Sequence, residues 1–182
     1  MNNKTLSALF FIIPALFLVS SPVMAASSVI INLNGKIKEG TCKVGNYTQN
    51  VSLTGGPGER YNSRLVFPRP GSTTPSVPFT IELKDCDPAL NVSIRFDGPV
   101  VTGRNDILML TQEASVSKGA GIQILDKNEN PLAIGQKNAL TAGVQKDETY
   151  IFPFFARYIR YSNDFVTEGS ANGKVDFTFI YE

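Results

Sequence analysis

The stretch Gly169-Ser-Ala-Asn-Gly-Lys-Val-Asp-Phe-Thr-Phe-Ile-Tyr-Glu182 sets the terms for the rest of the chain. Val175, Phe177, Phe179 and Tyr181 share one parity, with Asp176 and Thr178 between them. A period of two places the four large side chains on one face of a β-strand. Aromatic and β-branched residues suit such a pleated, half-buried surface. Ile180 breaks strict alternation, so the opposite face is expected to be partly covered. A strand this apolar is either central, flanked by an earlier segment, or an edge awaiting a partner.

A second alternating stretch lies near the other end, Val29-Ile-Ile-Asn-Leu-Asn-Gly-Lys-Ile37. Val29, Ile31, Leu33, Gly35 and Ile37 share one parity, which predicts a strand with one buried face. Gly35 is out of keeping, since glycine inside a strand weakens it and often marks the close approach of another backbone. The two terminal strands can pair within one molecule, or each can find a partner in another.

Residues 1–25 read as a secretory signal peptide: a positive start at Lys4, an apolar run from Leu6 to Val19 broken by Pro14, and Val23-Met24-Ala25 before the cut. Cleavage is expected after Ala25, with Ala26 as the alternative site and an uncleaved anchor as the competing reading. No later stretch approaches the ~18 apolar residues that span a bilayer. Removing 25 of 182 residues leaves 157, a common size for one domain. Of the 17 basic residues only Lys4 is lost, leaving 16 against 16 acidic ones, so the exported chain is formally neutral. Nucleic-acid binders usually carry a basic excess, and none is present.

Cys42 and Cys86, 44 residues apart, both lie in the exported part. An even pair in an oxidising compartment reads as a disulfide. Closing that loop contributes about 4 kcal/mol in the chain-entropy model. Between and beyond them run short strand-like segments separated by turn chemistry. Val51-Ser-Leu53 stops at Gly55-Gly-Pro-Gly58. Residues 67–78 form a Pro/Ser/Thr-rich loop expected to continue neither a helix nor a ladder. Phe79, Ile81 and Leu83 alternate up to Cys86. Val92, Ile94 and Phe96 alternate up to Asp97-Gly-Pro99, and Ile122 with Ile124 precedes a turn at 126–130. Thr149 to Tyr161 is the longest run, apolar on both parities in its first half and therefore expected to be central, with a bulge or interruption at Pro153. Strands at this spacing without a 3.6-residue period predict an all-β, antiparallel sandwich in one domain.

Catalytic chemistry is poorly represented. The chain has no histidine, which excludes Ser–His–Asp and Cys–His nucleophiles and histidine zinc sites. Gly119-Ala-Gly121 is too short for a dinucleotide fingerprint and opens a strand rather than a helix. Asp85/Asp87 and Asp147/Glu148 read as solvated turn residues, the sequons at Asn46, Asn50 and Asn91 as chance matches, and Arg157 as a structural pairing residue. Neither a cofactor nor enzymatic activity is expected.

Together these residues resemble the pilins of chaperone–usher fimbriae, the subunits of type 1 and P-type pili. The likeness spans essentially the whole chain. It is carried by Ile31-Asn-Leu-Asn-Gly35-Lys-Ile37 ahead of Gly40-Thr-Cys42, by Pro78-Phe-Thr-Ile-Glu-Leu-Lys-Asp-Cys86, and by Gly121-Ile-Gln-Ile-Leu-Asp126. Phe155-Ala-Arg-Tyr158 and a terminus with Gly169 and a penultimate Tyr181 complete it. The resemblance implies an incomplete immunoglobulin-like sandwich lacking its last strand, with an inter-strand disulfide. It divides the chain into a signal peptide (1–25), an N-terminal donor-strand extension (26–38) and the pilin domain (39–182). It implies that Val29, Ile31, Leu33, Gly35 and Ile37 are donated to a neighbour. Gly169, Val175, Phe177, Phe179 and Tyr181 would form the acceptor groove that a periplasmic chaperone recognises and fills first. The implied partners are that chaperone, an outer-membrane usher and neighbouring subunits, and the implied destination is an extracellular fimbrium acting in cell adhesion.

Shaft subunits of such fibres tend to be rich in Ala, Gly and Thr, whereas this chain carries Tyr158-Ile-Arg-Tyr161 and the Pro-containing loop. That departure points toward a minor subunit, an adaptor or an assembly or termination subunit. The alternative from another class is a free, secreted, carbohydrate-binding sandwich. Against it, the chain has no Trp and its aromatics fall mostly within strands.

Overall fold

The computed structural model describes residues 31–37, 42–45, 48–54, 61–85, 92–140, 144–146 and 149–181. The chain forms β1 (Ile31–Ile37), β2 (Lys43–Val44), β3 (Thr48–Val51), a one-turn helix α1 (Ser63–Val66), β4 (Val77–Lys84), β5 (Val92–Asp97) and β6 (Val100–Val101). There follow β7 (Arg104–Leu108), β8 (Ala120–Leu125), β9 (Lys137–Ala139), β10 (Val144–Lys146), β11 (Thr149–Arg160) and β12 (Gly173–Tyr181). Two sheets result. One runs β3-β1-β12-β5-β9; the other runs β2-β4-β11-β8-β7-β6, with β10 also against β11.

The core lies where the alternating faces of the sheets meet. Phe152, Phe154, Ala156 and Tyr158 of β11 are buried on one parity, as are Phe79, Ile81 and Leu83 of β4. From the other sheet come Ile94 and Phe96 of β5 with Val175, Phe177 and Phe179 of β12. Aromatic rings tie the layers together: Phe96 meets Phe154 edge-on at 5.5 Å, and Phe152 lies 5.9 Å from Phe179. Such pairs add about 0.5–1.5 kcal/mol beyond area burial. Every residue of β8 is buried, so Ile122 and Ile124 face this core while Gln123 is covered on the other side.

Three sequence expectations need correction. The sandwich is not wholly antiparallel, because β1 runs parallel to β12. A period of two carries no direction, so the pattern that identifies both strands is silent on their relative sense. The groove beside β12 is not left open in the single chain: β1 occupies it, between β3 and β12. The apolar face of β12 would otherwise be exposed, and covering it stabilises the chain. Finally, Pro153 makes neither bulge nor interruption, since β4 stays in register with β11 from Tyr150 to Ala156. Pro153 is exposed and falls between the end of β10 pairing at Ile151 and the start of β8 pairing at Phe155. A residue without an N–H is tolerated where one flank has no ladder to feed.

A fourth expectation, that residues 67–78 continue no ladder, is also corrected: Val77 and Pro78 open β4 and pair with Ala156 and Phe155. Where β4 leaves β11, the loop continues along the same flank. Thr74 N–H donates to the Tyr158 carbonyl (3.1 Å), Tyr158 N–H to Thr74 Oγ1 (3.0 Å), and Arg160 N–H to the Ser72 carbonyl (2.9 Å).

Candidate functional site: the slot between β3 and β12

β1 pairs with β12 in the register Ile31↔Gly173, Leu33↔Val175, Gly35↔Phe177 and Ile37↔Phe179. On its other flank it runs antiparallel to β3, with Ile31↔Val51 and Leu33↔Gln49. The residues read from the sequence as donor and acceptor thus lie side by side in one molecule. Ile31 and Leu33 are each 1% exposed, and Val175, Phe177 and Phe179 are no more exposed than that. Burying Ile31 and Leu33 contributes about 1.5–3 kcal/mol each, before the ladder hydrogen bonds are counted. The strand position that lacks a Cβ, Gly35, is registered against the Phe177 position, where the strand beside it carries a ring.

The remaining predicted residues divide. Val29 lies outside the described residues. Tyr181 belongs to β12 but lies beyond β1, whose pairing ends at Phe179. Its hydroxyl is buried without a hydrogen-bond partner among the described residues, and burial pushes the phenol pKa up. Gly169 stands outside the slot. A Cβ on it would lie 2.3 Å from the Ser115 carbonyl oxygen and 2.5 Å from the Ser117 nitrogen. It is a contact between two loops, where only a bare backbone fits.

One wall of the slot escaped the sequence reading. Thr48, Gln49 and Asn50 of β3 show no apolar alternation, so only Val51 signalled a strand there. Gln49, opposite Leu33, carries a buried Oε1 with no hydrogen-bond partner among the described residues. The other singled-out residues are structural. Arg157 Nε donates to Gln123 Oε1 (3.1 Å), and Asp85 pairs with Lys43 at 2.8 Å on the surface. Cys42 is buried, and the described residues hold no free cysteine; Cys86, Asp87, Asp147 and Glu148 lie outside them. The signal-peptide reading of 1–25 and the boundary between 38 and 39 likewise fall outside.

The family model for the fimbrial protein family matches residues 31–182. The chain is 35% identical over 171 residues to a type-1 fimbrial protein subunit of Serratia marcescens, covering 90% of this chain and 91% of that one. It is 31% identical over 176 residues to a probable major fimbrial subunit, LpfA, of Escherichia coli O157:H7, covering 94% and 95%. Among solved structures it superposes on a subunit of a chaperone–usher pilus with a TM-score of 0.62 at 20% identity, over 82% of this chain and 92% of that one. The P pilus rod subunit PapA superposes with a TM-score of 0.61 at 18% identity, over 78% and 99%. An all-β sandwich of this topology, with an apolar terminal strand in its slot, defines the class as a pilin-like domain. The chain belongs to the fimbrial protein family: it is a structural subunit of extracellular pili and not an enzyme.

Proposed function

We propose that this chain is a chaperone–usher fimbrial subunit that polymerises by donor-strand exchange, its β1 leaving its own slot to enter the slot of a neighbour. The observation that supports this most is the placement of β1. It is the first described strand, it holds the slot between β3 and β12 with Ile31 and Leu33, and among the described residues its departure breaks the β1–β12 and β1–β3 ladders alone. β-Strand addition replaces those ladders with equivalent ones from another chain. A contact between the tail slot of one copy and the head strand of the next is heterologous and does not close, so it builds a filament.

On this reading the signal peptide directs the chain to the periplasm. The Cys42–Cys86 disulfide forms there, a chaperone holds the slot open, and an usher passes the subunit outward for adhesion. The same proposal makes the chain a minor subunit. The departures that suggest this, Tyr158 to Tyr161 and the Pro-rich loop, are joined in one hydrogen-bonded unit along the end of β11.

Purification of the subunit from periplasm tests the reading. A one-to-one complex with a second protein, and fibres that incorporate the natural chain but not a chain lacking residues 26–37, are expected. Incorporation of the truncated chain as before would overturn strand donation.

A further inference from the structure

Two features outside the slot complement each other. The first is Phe165, in the loop between β11 and β12, a ring left 66% exposed. The guanidinium of Arg160 sits 5.3 Å from its centroid and that of Arg64 5.8 Å. Arg160 is 4% exposed and meets no carboxylate among the described residues. Its Nε, Nη1 and Nη2 donate instead to the carbonyls of Ser162 (2.9 Å), Phe67 (2.9 Å) and Asn163 (2.7 Å). The bonds to Ser162 and Asn163 fix the loop that carries the ring, the bond to Phe67 ties it to the Pro-rich loop, and the cation–π contact orients the ring. Arg64 is exposed on α1 and forms no ion pair among the described residues. Leu65 beside it is 78% exposed.

The second feature is a cleft of about 350 Å³ at the start of β12, with Pro99, Met109 and Leu110 as apolar wall and Asp97, Lys174 and Asp176 at its polar side. Asp97 and Asp176 stand directly opposite each other in the β5–β12 ladder. Like charges so placed repel. Arg95 relieves Asp97, Nε to Oδ2 at 2.9 Å, but exposed Asp176 has no ion pair among the described residues. An aromatic knob beside a guanidinium without an ion pair among the described residues therefore matches an apolar cleft beside a carboxylate likewise without one.

We infer that Phe165 of one copy enters this cleft on a second copy of the chain, with Arg64 pairing to Asp176 across the contact. The signs agree on the flank too, since exposed Asp164 precedes the ring and Lys174 borders the cleft. The contact takes Lys174 and Asp176 from the exposed parity of β12, not the buried Val175 and Phe177 of the core face.

Sedimentation equilibrium of the processed chain, over a concentration series and with dissociation on dilution as the readout, tests it. Strand-exchanged polymers are set apart by their resistance to SDS. The natural chain associates reversibly, and Phe165→Ser weakens this at least tenfold without changing thermal unfolding. Arg64→Asp alone and Asp176→Arg alone each weaken it, while an equimolar mixture of the two variants restores it, because every contact in the mixed pair is again complementary. Carbodiimide treatment of a ¹⁵N/¹⁴N mixture links Asp164 of one copy to Lys174 of another. A natural chain that stays monomeric throughout would overturn the proposal, as would a Phe165→Ser chain that associates like it. So would a mixture no better associated than its components.

Discussion

The central strands of the two sheets both bury a row of aromatic side chains but differ in how their flanks are held. β11 lies between β4 on one side and β8 and β10 on the other, all antiparallel and all drawn from the interior of the chain. β12 is antiparallel to β5 on one side, but its other flank is a parallel strand from the N-terminal segment. Stripping β11 requires unfolding the middle of the protein. Stripping one side of β12 requires moving only β1. Burial sets how much each strand contributes; tethering decides whether that contribution can be handed to another molecule.

The largest effect comes from truncating rings on either side of the core. Phe154→Ala and Phe177→Ala each lower unfolding free energy by about 3–5 kcal/mol in urea titration, since both side chains are 1% exposed. The comparison sharpens with Leu33→Ala, expected to cost about 2–5 kcal/mol of seam stability. Amide exchange reads it locally: protection falls in β1 and β12, while β8 and β11 keep theirs. A uniform loss over all four strands would mean that the seam is not separable. Gly169→Ala comes next. It drives a Cβ into the Ser115 carbonyl and costs about 1–3 kcal/mol by overpacking, read as a lowered Tm with the seam's exchange pattern intact.

Smaller effects test the polar contacts of the β11 sheet. Tyr158 is 4% exposed and its hydroxyl donates to the Ala171 carbonyl at 2.9 Å, tying β11 to the approach of β12. Burial pushes this phenol well up from its ordinary value. Its folded pKa is raised, so its contribution is complete below the unfolded value of about 10 and is lost as pH rises above that. Tyr158→Phe is expected to cost about 1 kcal/mol at neutral pH and to flatten the alkaline limb of a stability-against-pH curve. Asp106 behaves in the opposite sense. The hydrogen bond from Arg104 holds its carboxyl below the usual range, with Gln123 adding a second donor. Its stabilisation is present above the unfolded carboxylate pKa and fades as pH falls through the lower folded one. Asp106→Asn should cost less than about 1 kcal/mol at pH 7, the scale of a surface ion pair, and reduce the acid-limb slope.

What could be read beforehand follows from the same contrast. Alternation located both terminal strands and put Leu33, Val175, Phe177 and Phe179 on buried faces, because burying one face of a strand requires a period of two. It also identified β11 as central from its two apolar parities. Direction was not legible, since Ile31 to Ile37 presents the same face either way up. Nor was β3, whose Thr48, Gln49 and Asn50 show no apolar alternation. Pro153 suggested an interruption because sequence does not show which flank of a strand lacks a neighbour. Arg160 was legible only as part of Tyr158-Ile-Arg-Tyr161 and Phe165 gave no signal, their contact depending on a loop folded back along the end of β11.

The most direct test of the account is to purify the processed chain without residues 26–37 and add a synthetic peptide of residues 26–38. Alone, the truncated chain should lack a cooperative unfolding transition and aggregate through the uncovered face of β12. With the peptide it should form a one-to-one complex that unfolds cooperatively. A truncated chain that is a stable, cooperative monomer by itself, indifferent to the peptide, would contradict it.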